Sequence, residues 1–394
     1  MPEPRPQLGL VMIVRDEAAN LPRSLAPLAG LFDEVVVVDT GSRDATPALC
    51  RELGATVYDF PWRDDFAAAR NFGLDRARAA WLFWLDADNA LPPAEVPRLR
   101  ALLRPGPAIL WAQEQVVPSG ERLWQKRCFP NNPAVRFRGR VHEQLAHPPS
   151  WPNLATPLVI QHWGYEDLAQ VKAKGAYYQG LLQQMLQDDP GDFYAKFQLA
   201  RCHYNLRDFP AAASLLAELA PDATARAGNP QIWLAGQILR AQAQERAGAA
   251  PAARHTLERL LEIMPGEGLA HYHRGRQAYV EGDWPRAREH LTRALDLGLG
   301  APMIDLDPER TLFLASYYLG RALAAEGRPA EAAQALARAV ERDPANPAAR
   351  AELAEILMQL GQPDAARQQV AAILEQRPGD RRARDLLAAL EARA

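Results

Sequence analysis

The sequence predicts an α/β domain with a mixed sheet over residues 1–165, followed by an all-α array of paired helices over residues 166–394. Three observations carry this. Short apolar, β-branched runs alternate with helix-like segments in the first half, which implies parallel βαβ units. Acidic residues stand where two of those runs end. From about Tyr165 the composition turns to Ala, Leu, Arg, Glu and Gln, and prolines recur 34 residues apart.

Leu8–Val14 has strand length and ends in Arg15-Asp16-Glu17. Ala18–Leu31 follows with Leu21, Leu25 and Leu28 at helical spacing. Val35–Asp39 is a second β-branched run, and Thr40–Thr46 is a loop rich in Gly, Ser and Thr. Such a loop can offer backbone N–H groups to an anion. Asp44 and Thr46 can equally cap the short helix opening at Pro47. Neither GxxxxGK[ST] nor GxGxxG occurs there, which disfavours a dinucleotide dehydrogenase. Thr56–Phe60 is a third strand, and Phe66–Ala80 reads as a helix with Asp64 or Asp65 at its N-cap. Arg70 on that helix suits a structural ion pair with Asp65, or a nucleotide base or phosphate.

The central stretch is Trp81-Leu-Phe-Trp-Leu-Asp-Ala-Asp-Asn89. Five apolar residues read as a strand buried on both faces. Side chains two apart in an extended segment share a side, so Asp86 and Asp88 leave the strand end together. Such a pair repels itself unless a cation or a donor compensates it. Carboxylate oxygens suit Mg²⁺ or Mn²⁺, and Mg²⁺ commonly takes one or two carboxylates plus substrate phosphates. The plainer alternative is that two aspartates end a strand and begin a turn. Ligands in parallel sheets bind beyond the carboxyl ends of the strands. Asp39 stands at a second such end, and this coincidence favours a site.

After Leu103, Ile109–Val117, Leu123–Phe129 and Val135–Leu145 read as antiparallel strands. In the last, Arg136, Arg138, Arg140 and His142 alternate with Val135, Phe137, Gly139 and Val141, which gives one basic face to a regular strand. That face is either solvated or a wall for a charged substrate. Glu143 ends the segment and is a candidate general base. On a regular strand His142 and Glu143 point to opposite sides. Leu158–Ile160 leads to His162, a structural histidine or the one imidazole of an oxygen-rich metal site.

The second half is punctuated at Pro210, Pro251, Pro285, Pro329 and Pro363. Gly282-Asp-Trp-Pro, Gly327-Arg-Pro and Gly361-Gln-Pro repeat a turn between paired helices, and an insertion at Gly298–Pro308 lengthens one step. About five helix pairs are expected, with Asp380–Arg393 as a closing helix over an otherwise exposed end. The aromatic residues of this half are expected in the core. A concave face could bind a peptide or orient a substrate, and a structural or dimerising tail is the alternative.

The formal charge of −3 excludes nucleic-acid binding driven by bulk charge. Cys50, Cys128 and Cys202 have no metal spacing and fit a reducing compartment. No apolar run approaches the ~18–20 residues of a membrane span, and the first residues do not form a secretory signal. The expectation is a soluble, cytoplasmic bacterial protein, with peripheral contact at the inner membrane left open.

The ordered set Val11-Met-Ile-Val-Arg-Asp-Glu17, Val38-Asp-Thr-Gly-Ser-Arg-Asp-Ala-Thr46, Asp65–Asn71 and Leu85-Asp-Ala-Asp88 resembles a family 2 glycosyltransferase of GT-A fold over roughly the first 165 residues. The subgroup it resembles most includes lipopolysaccharide-core glucosyltransferases. The period of 34 resembles tetratricopeptide repeats. The resemblance implies an inverting, metal-dependent transfer from a nucleotide sugar, a UDP-sugar in particular, to a saccharide, lipid-linked glycan or peptide. Asp39, Arg70 and Asp86 would bind the nucleotide sugar, Asp88 and His162 a divalent cation, Mn²⁺ or Mg²⁺. Glu143 would be the base, with His142 its rival, because His142-Glu143-Gln144 replaces a Glu-Asp pair. The repeats would bind the acceptor or a protein partner. Two other readings are a sugar-phosphate nucleotidyltransferase, which lacks a Gly-rich triphosphate loop here, and a repeat scaffold carrying an inactive transferase domain.

Overall fold

The computed structural model describes residues 8–103, 106–117, 122–163, 168–219, 226, 229–299 and 308–392. The chain falls into two compact units, Met1–Cys202 and His203–Ala394. The expected boundary at 165/166 lies outside the described residues.

In the first unit the strands are β1 (Leu8–Val14), β2 (Glu34–Asp39), β3 (Thr56–Asp59), β4 (Trp81–Trp84), β5 (Asn89–Ala90), β6 (Ile109–Val116), β7 (Arg122–Pro130), β8 (Arg136–Arg138), β9 (Gln144–Ala146) and β10 (Asn153–His162). Eight form one sheet in the order β3-β2-β1-β4-β7-β6-β10-β5. β1 to β4 are mutually parallel, β7 is antiparallel to β4 and β6, and β10 runs parallel to β6. The carboxyl ends of β1, β2, β4 and β10 therefore lie on one edge. His162 pairs with Asn89 there.

The helices are α1 (Leu21–Ser24), α2 (Thr46–Glu52), α3 (Phe66–Leu74), α4 (Glu95–Leu102), α5 (Leu168–Asp188) and α6 (Phe193–Asn205). Alternation along the strands divides the core between the two faces of the sheet. Leu10, Met12, Val37, Phe83 and Leu85 pack with Leu21, Leu25, Leu28, Val96 and Leu99. Val11, Val36, Leu82 and Phe129 pack with Ala67, Leu74, Val135 and Phe137. α3 sits close on the sheet because Gly73 has no side chain: a Cβ there would lie 2.9 Å from Val11 Cγ1.

Three expected elements differ. The helix over Ala18–Leu31 shrinks to α1 and a 3-10 turn at Ala26–Leu28. Its first residues are held by the loop after β2 instead: Glu17 N–H donates to Thr46 Oγ1 at 2.8 Å, Ala18 N–H to Asp44 Oδ2 at 3.1 Å, and Arg43 N–H to Asp16 Oδ1 at 2.7 Å. The helix from Phe66 stops at Leu74, not Ala80. Residues 135–145 do not form one strand. β8 and β9 pair with each other as a small hairpin, with positive φ at Gly139 and His142. The alternating basic face is thereby lost, and His142 and Glu143 sit in a turn.

The second unit contains α7 (Phe209–Ala217), α8 (Pro230–Arg246), α9 (Ala250–Ile263), α10 (Gly268–Glu281), α11 (Trp284–Leu297), α12 (Pro308–Ala325), α13 (Pro329–Arg342), α14 (Pro347–Gln359), α15 (Pro363–Gln376) and the closing α16 (Arg381–Glu391). The turns at Gly282, Gly327 and Gly361 have φ of 79°, 72° and 71°, a left-handed conformation that glycine adopts without a Cβ penalty. Small residues let the paired helices approach: a Cβ on Gly275 or Gly320 would lie 2.7 or 2.6 Å from Cγ of Leu291 or Leu336. The expectation of core aromatics holds for Trp233 and Tyr272, whereas Tyr279, Trp284, Tyr317 and Tyr318 are half-buried and cluster with one another.

Candidate active site

At the carboxyl edge of the sheet lies a cavity of about 440 Å³. Arg15, Glu17, Thr40, Asp86, Asp88 and His162 line it from the strand ends, and Arg70 lines it from α3. His142 and Glu143 line it from the hairpin turn, and Lys174, Tyr177 and Tyr178 from α5.

The buried guanidinium of Arg70 organises the acidic groups. Its Nη2 donates to Asp86 Oδ1 at 2.7 Å, and its Nε donates to Glu143 Oε1. The structural pair with Asp65 is not formed. Asp65 caps α3 by accepting from Ala68 N–H at 2.8 Å. Burial alone would favour neutral Arg70, but Asp86 and Glu143 outweigh it and raise its pKa.

Asp86 is held from a second side by Arg127, whose Nη1 lies 3.5 Å from Oδ2. Both guanidinium carbons lie over the Trp84 ring, Arg70 at 4.2 Å and Arg127 at 3.7 Å from its centroid. Burial opposes ionisation of Asp86, yet Arg70, Arg127 and His162 together hold its pKa below the usual carboxylate range. Asp88 goes the other way. Burial and the neighbouring Asp86 charge raise its pKa, with His162 opposing. Glu17 is raised too, by burial and by both aspartates, against a hydrogen bond from Asn20 Nδ2 at 2.6 Å.

A relay behind the site joins these groups. Arg127 Nη2 donates to Glu114, and Asn89 Nδ2 donates to Glu114 Oε2 at 3.0 Å. Asn89 Oδ1 must then accept from His162 Nδ1–H, 3.1 Å away. This fixes the tautomer and makes Nε2 the basic nitrogen. His162 Nδ1 is also 3.6 Å from Asp88 Oδ1.

Asp39 stands at the end of β2 on the same edge, but its carboxylate does not line the cavity. It accepts from Gly41 N–H at 3.4 Å, Ser42 N–H at 3.1 Å and Ser42 Oγ, and is 5 % exposed. Its neighbour Thr40 lines the cavity instead.

Among the described residues no three His, Cys, Asp or Glu side chains form a ready cage for a metal. The donor set still fits a hard divalent cation: Asp88 and His162 line the same cavity, together with the carboxylates of Glu17 and Glu143. Such an ion completes its shell with substrate phosphate oxygens. Both Asp86 oxygens are engaged by arginines, so Asp86 is not a ligand in this arrangement.

Sequence reasoning missed Arg127, Glu114, Asn89 as a polar contact, and the α5 side chains. The available signal was Glu114, which stands in phase with the buried Leu110, Ala112 and Val116 along β6. Tyr177 and Tyr178 gave none, lying in a helix indistinguishable by composition from the repeats.

The fold and cavity define an α/β domain with an acidic ligand site, followed by helical repeats. Residues 10–153 match the family described as glycosyl transferase family 2, and residues 168–235, 238–302 and 323–390 match tetratricopeptide repeats. Residues 10–153 thus form a glycosyl transferase family 2 domain, and tetratricopeptide repeats follow it. A TPR repeat-containing protein of Synechococcus elongatus is 37% identical over 48% of this chain and 50% of its own length. The SPbeta prophage-derived glycosyltransferase SunS of Bacillus subtilis is 25% identical over 47% of this chain and 46% of its own. The chain thus spans about half the length of these curated relatives. Among solved structures, YrrB, a TPR protein with an unusual peptide-binding site, is 15% identical at a TM-score of 0.40, covering 51% of this chain and 95% of that one. Among the described residues no helix is long and apolar enough to cross a membrane.

Proposed function

We propose that the protein is an inverting glycosyltransferase that moves a sugar from a nucleotide sugar, a UDP-sugar in particular, to a saccharide, lipid-linked or peptide acceptor. The observation that carries this is the meeting of Asp86, Asp88, His162 and Glu143 in one cavity at the carboxyl edge of the sheet.

Asp88 and His162 would hold a divalent cation, Mn²⁺ or Mg²⁺. Bound there, it would screen the charge that grows on the departing diphosphate. Asp86, locked by Arg70 and Arg127, faces the cavity as a fixed acceptor for the ribose or diphosphate region. The shared edge supports Asp39 and its loop as the nucleoside end, through Thr40 and the backbone that Asp39 holds. Arg70 positions Asp86 and Glu143 from the α3 side and favours the ionised form of Asp86.

Glu143 is the general base. The acceptor hydroxyl oxygen bonds to the anomeric carbon while the bond to the diphosphate oxygen breaks. The electron pair leaves with the diphosphate, and the hydroxyl proton passes to Glu143. His142 lines the same cavity and remains the rival base. The repeat unit would bind acceptor or partner. We place the protein in the cytoplasm, in contact with the inner membrane where the acceptor is lipid-linked.

The test is a panel of nucleotide sugars with Mn²⁺. Slow hydrolysis of one UDP-sugar, lost in Asp88→Ala and on chelation, is expected. No binding or turnover across the panel would overturn the proposal.

A further inference from the structure

We propose that α5 closes the cavity with an aromatic wall that binds the ring of a pyranose acceptor; this rests on the glycosyl-transfer reading above. α5 lies at the start of the repeat-matching region, yet it belongs to the first compact unit and lends Tyr177 and Tyr178 to the cavity.

The wall is built, not incidental. Tyr177 OH donates to Asp64 Oδ1 at 2.5 Å, across 113 residues of sequence. Trp62 Nε1–H lies 2.9 Å from both that carboxylate oxygen and the Tyr177 hydroxyl. Ring contacts then run without a break: Trp62 to Phe66 at 4.8 Å, Phe66 to Tyr178 at 5.9 Å, Tyr178 to His142 at 5.7 Å. The residue after His142 is Glu143.

Backbone strain marks both ends. Among described residues other than glycine, only four have positive φ, and Asp64 at 55° and His142 at 51° are two of them. Such residues persist where the surroundings over-determine them, and they gather at ligand sites.

The cavity therefore has two characters. Its acidic side suits a diphosphate with a cation. Its aromatic side is lined by Trp62, Phe66, Tyr177 and Tyr178, with the Tyr177 phenol held by Asp64. A pyranose matches that side: C–H bonds cover one face of the ring, and hydroxyls project from its edge. Adjacency to Glu143 places such a ring where an attacking hydroxyl can lose its proton, which favours the acceptor over the nucleobase.

The test is saturation-transfer NMR on the full chain with methyl gluco-, galacto- and mannopyranosides, in the presence of UDP and Mn²⁺. Ring C–H protons of at least one glycoside should receive saturation. Binding should weaken about fivefold or more in Tyr177→Ala and Tyr178→Ala, the size of one lost aromatic contact, and recover in Tyr178→Phe. Calorimetric UDP binding should not change in these variants. Equal saturation in wild type and variants would overturn the proposal. So would absence of saturation by any pyranoside while UDP binds, the outcome expected of a peptide acceptor. Weaker UDP binding in the variants would assign the wall to the nucleobase and overturn it as well. Pyranoside binding that depends on the tyrosines, without UDP binding by the wild type, would support the wall and defeat the donor assignment instead.

Discussion

Arg70 and Asp86 are joined at the back of the cavity by a 2.7 Å hydrogen bond between charged groups, with Glu143 on the other arm of the same guanidinium. One planar cation thus sets the spacing of two carboxylates. Lysine donates from a single point on a flexible stem and cannot reproduce the rigid fork that sets this spacing. Arg70→Lys should keep the fold and lower kcat by about 100-fold, the usual scale for a reacting group misplaced by an ångström. Steady-state kinetics with UDP calorimetry check this; unchanged kcat would show that the bridge does not position the base.

Glu143→Gln removes the proposed proton acceptor while leaving a hydrogen-bonding side chain beside Arg70. Transfer should fall by about 10²–10⁴-fold, with UDP-sugar binding retained. Equal transfer rates in mutant and wild type would remove Glu143 as the base and turn attention to His142.

Asn89 is 1 % exposed and touches no cavity surface, yet it fixes the His162 ring. Asn89→Ala should weaken Mn²⁺ binding by about 10–100-fold, the range for a lost partner of a metal-binding imidazole. Manganese titration followed by electron paramagnetic resonance reads this without turnover.

The repeat unit should lose stability in acid. Burial and Arg276 push His273 down to about 3. Burial, His271 and Arg274 push His290 down to about 4. His271 donates from Nε2 to Pro265 O at 3.0 Å, and its Nδ1 lies 2.9 Å from His290 Nδ1. Folded values below the unfolded one mean that the unfolded chain binds protons first. Stability is then complete above about pH 6.5 and falls with pH below it, by at most roughly 1.4 kcal/mol per pH unit for the buried His273. Urea midpoints between pH 7 and 4 test this, and His273→Gln should flatten the slope.

Gly320→Ala places a methyl 2.6 Å from Leu336 Cγ, between two paired helices. Overpacking of this kind should cost about 1–3 kcal/mol, visible as a lower Tm, despite the higher helix propensity of alanine. A Tm equal to or above wild type would mean that the helix pair separates freely.

The strands at Leu8–Val14 and Val35–Asp39 and the turn glycines were legible because continuous apolar, β-branched runs and glycines in turns are local signals. The pairing of Arg70 was not, because its partners lie 16 and 73 residues away. Loop-to-loop hydrogen bonds at Glu17 and Ala18 overrode a clear leucine spacing and left little of the expected helix. The segment at 135–145 misled for a related reason: its alternation is genuine, but the φ of Gly139 and His142 breaks the strand where Glu143 must turn inward. Which helices follow the sheet domain and which follow the repeats was illegible, since α5 has the composition of a repeat and the contacts of the cavity.

Because Tyr177 reaches back to Asp64 and His162 reaches back to Asn89, the pocket is written across the chain from its first strand to its fifth helix. A polypeptide emerging from the ribosome gains the sheet edge early and the last wall only after α5 has left the exit tunnel. Until then the nascent chain would carry its acids without an enclosure.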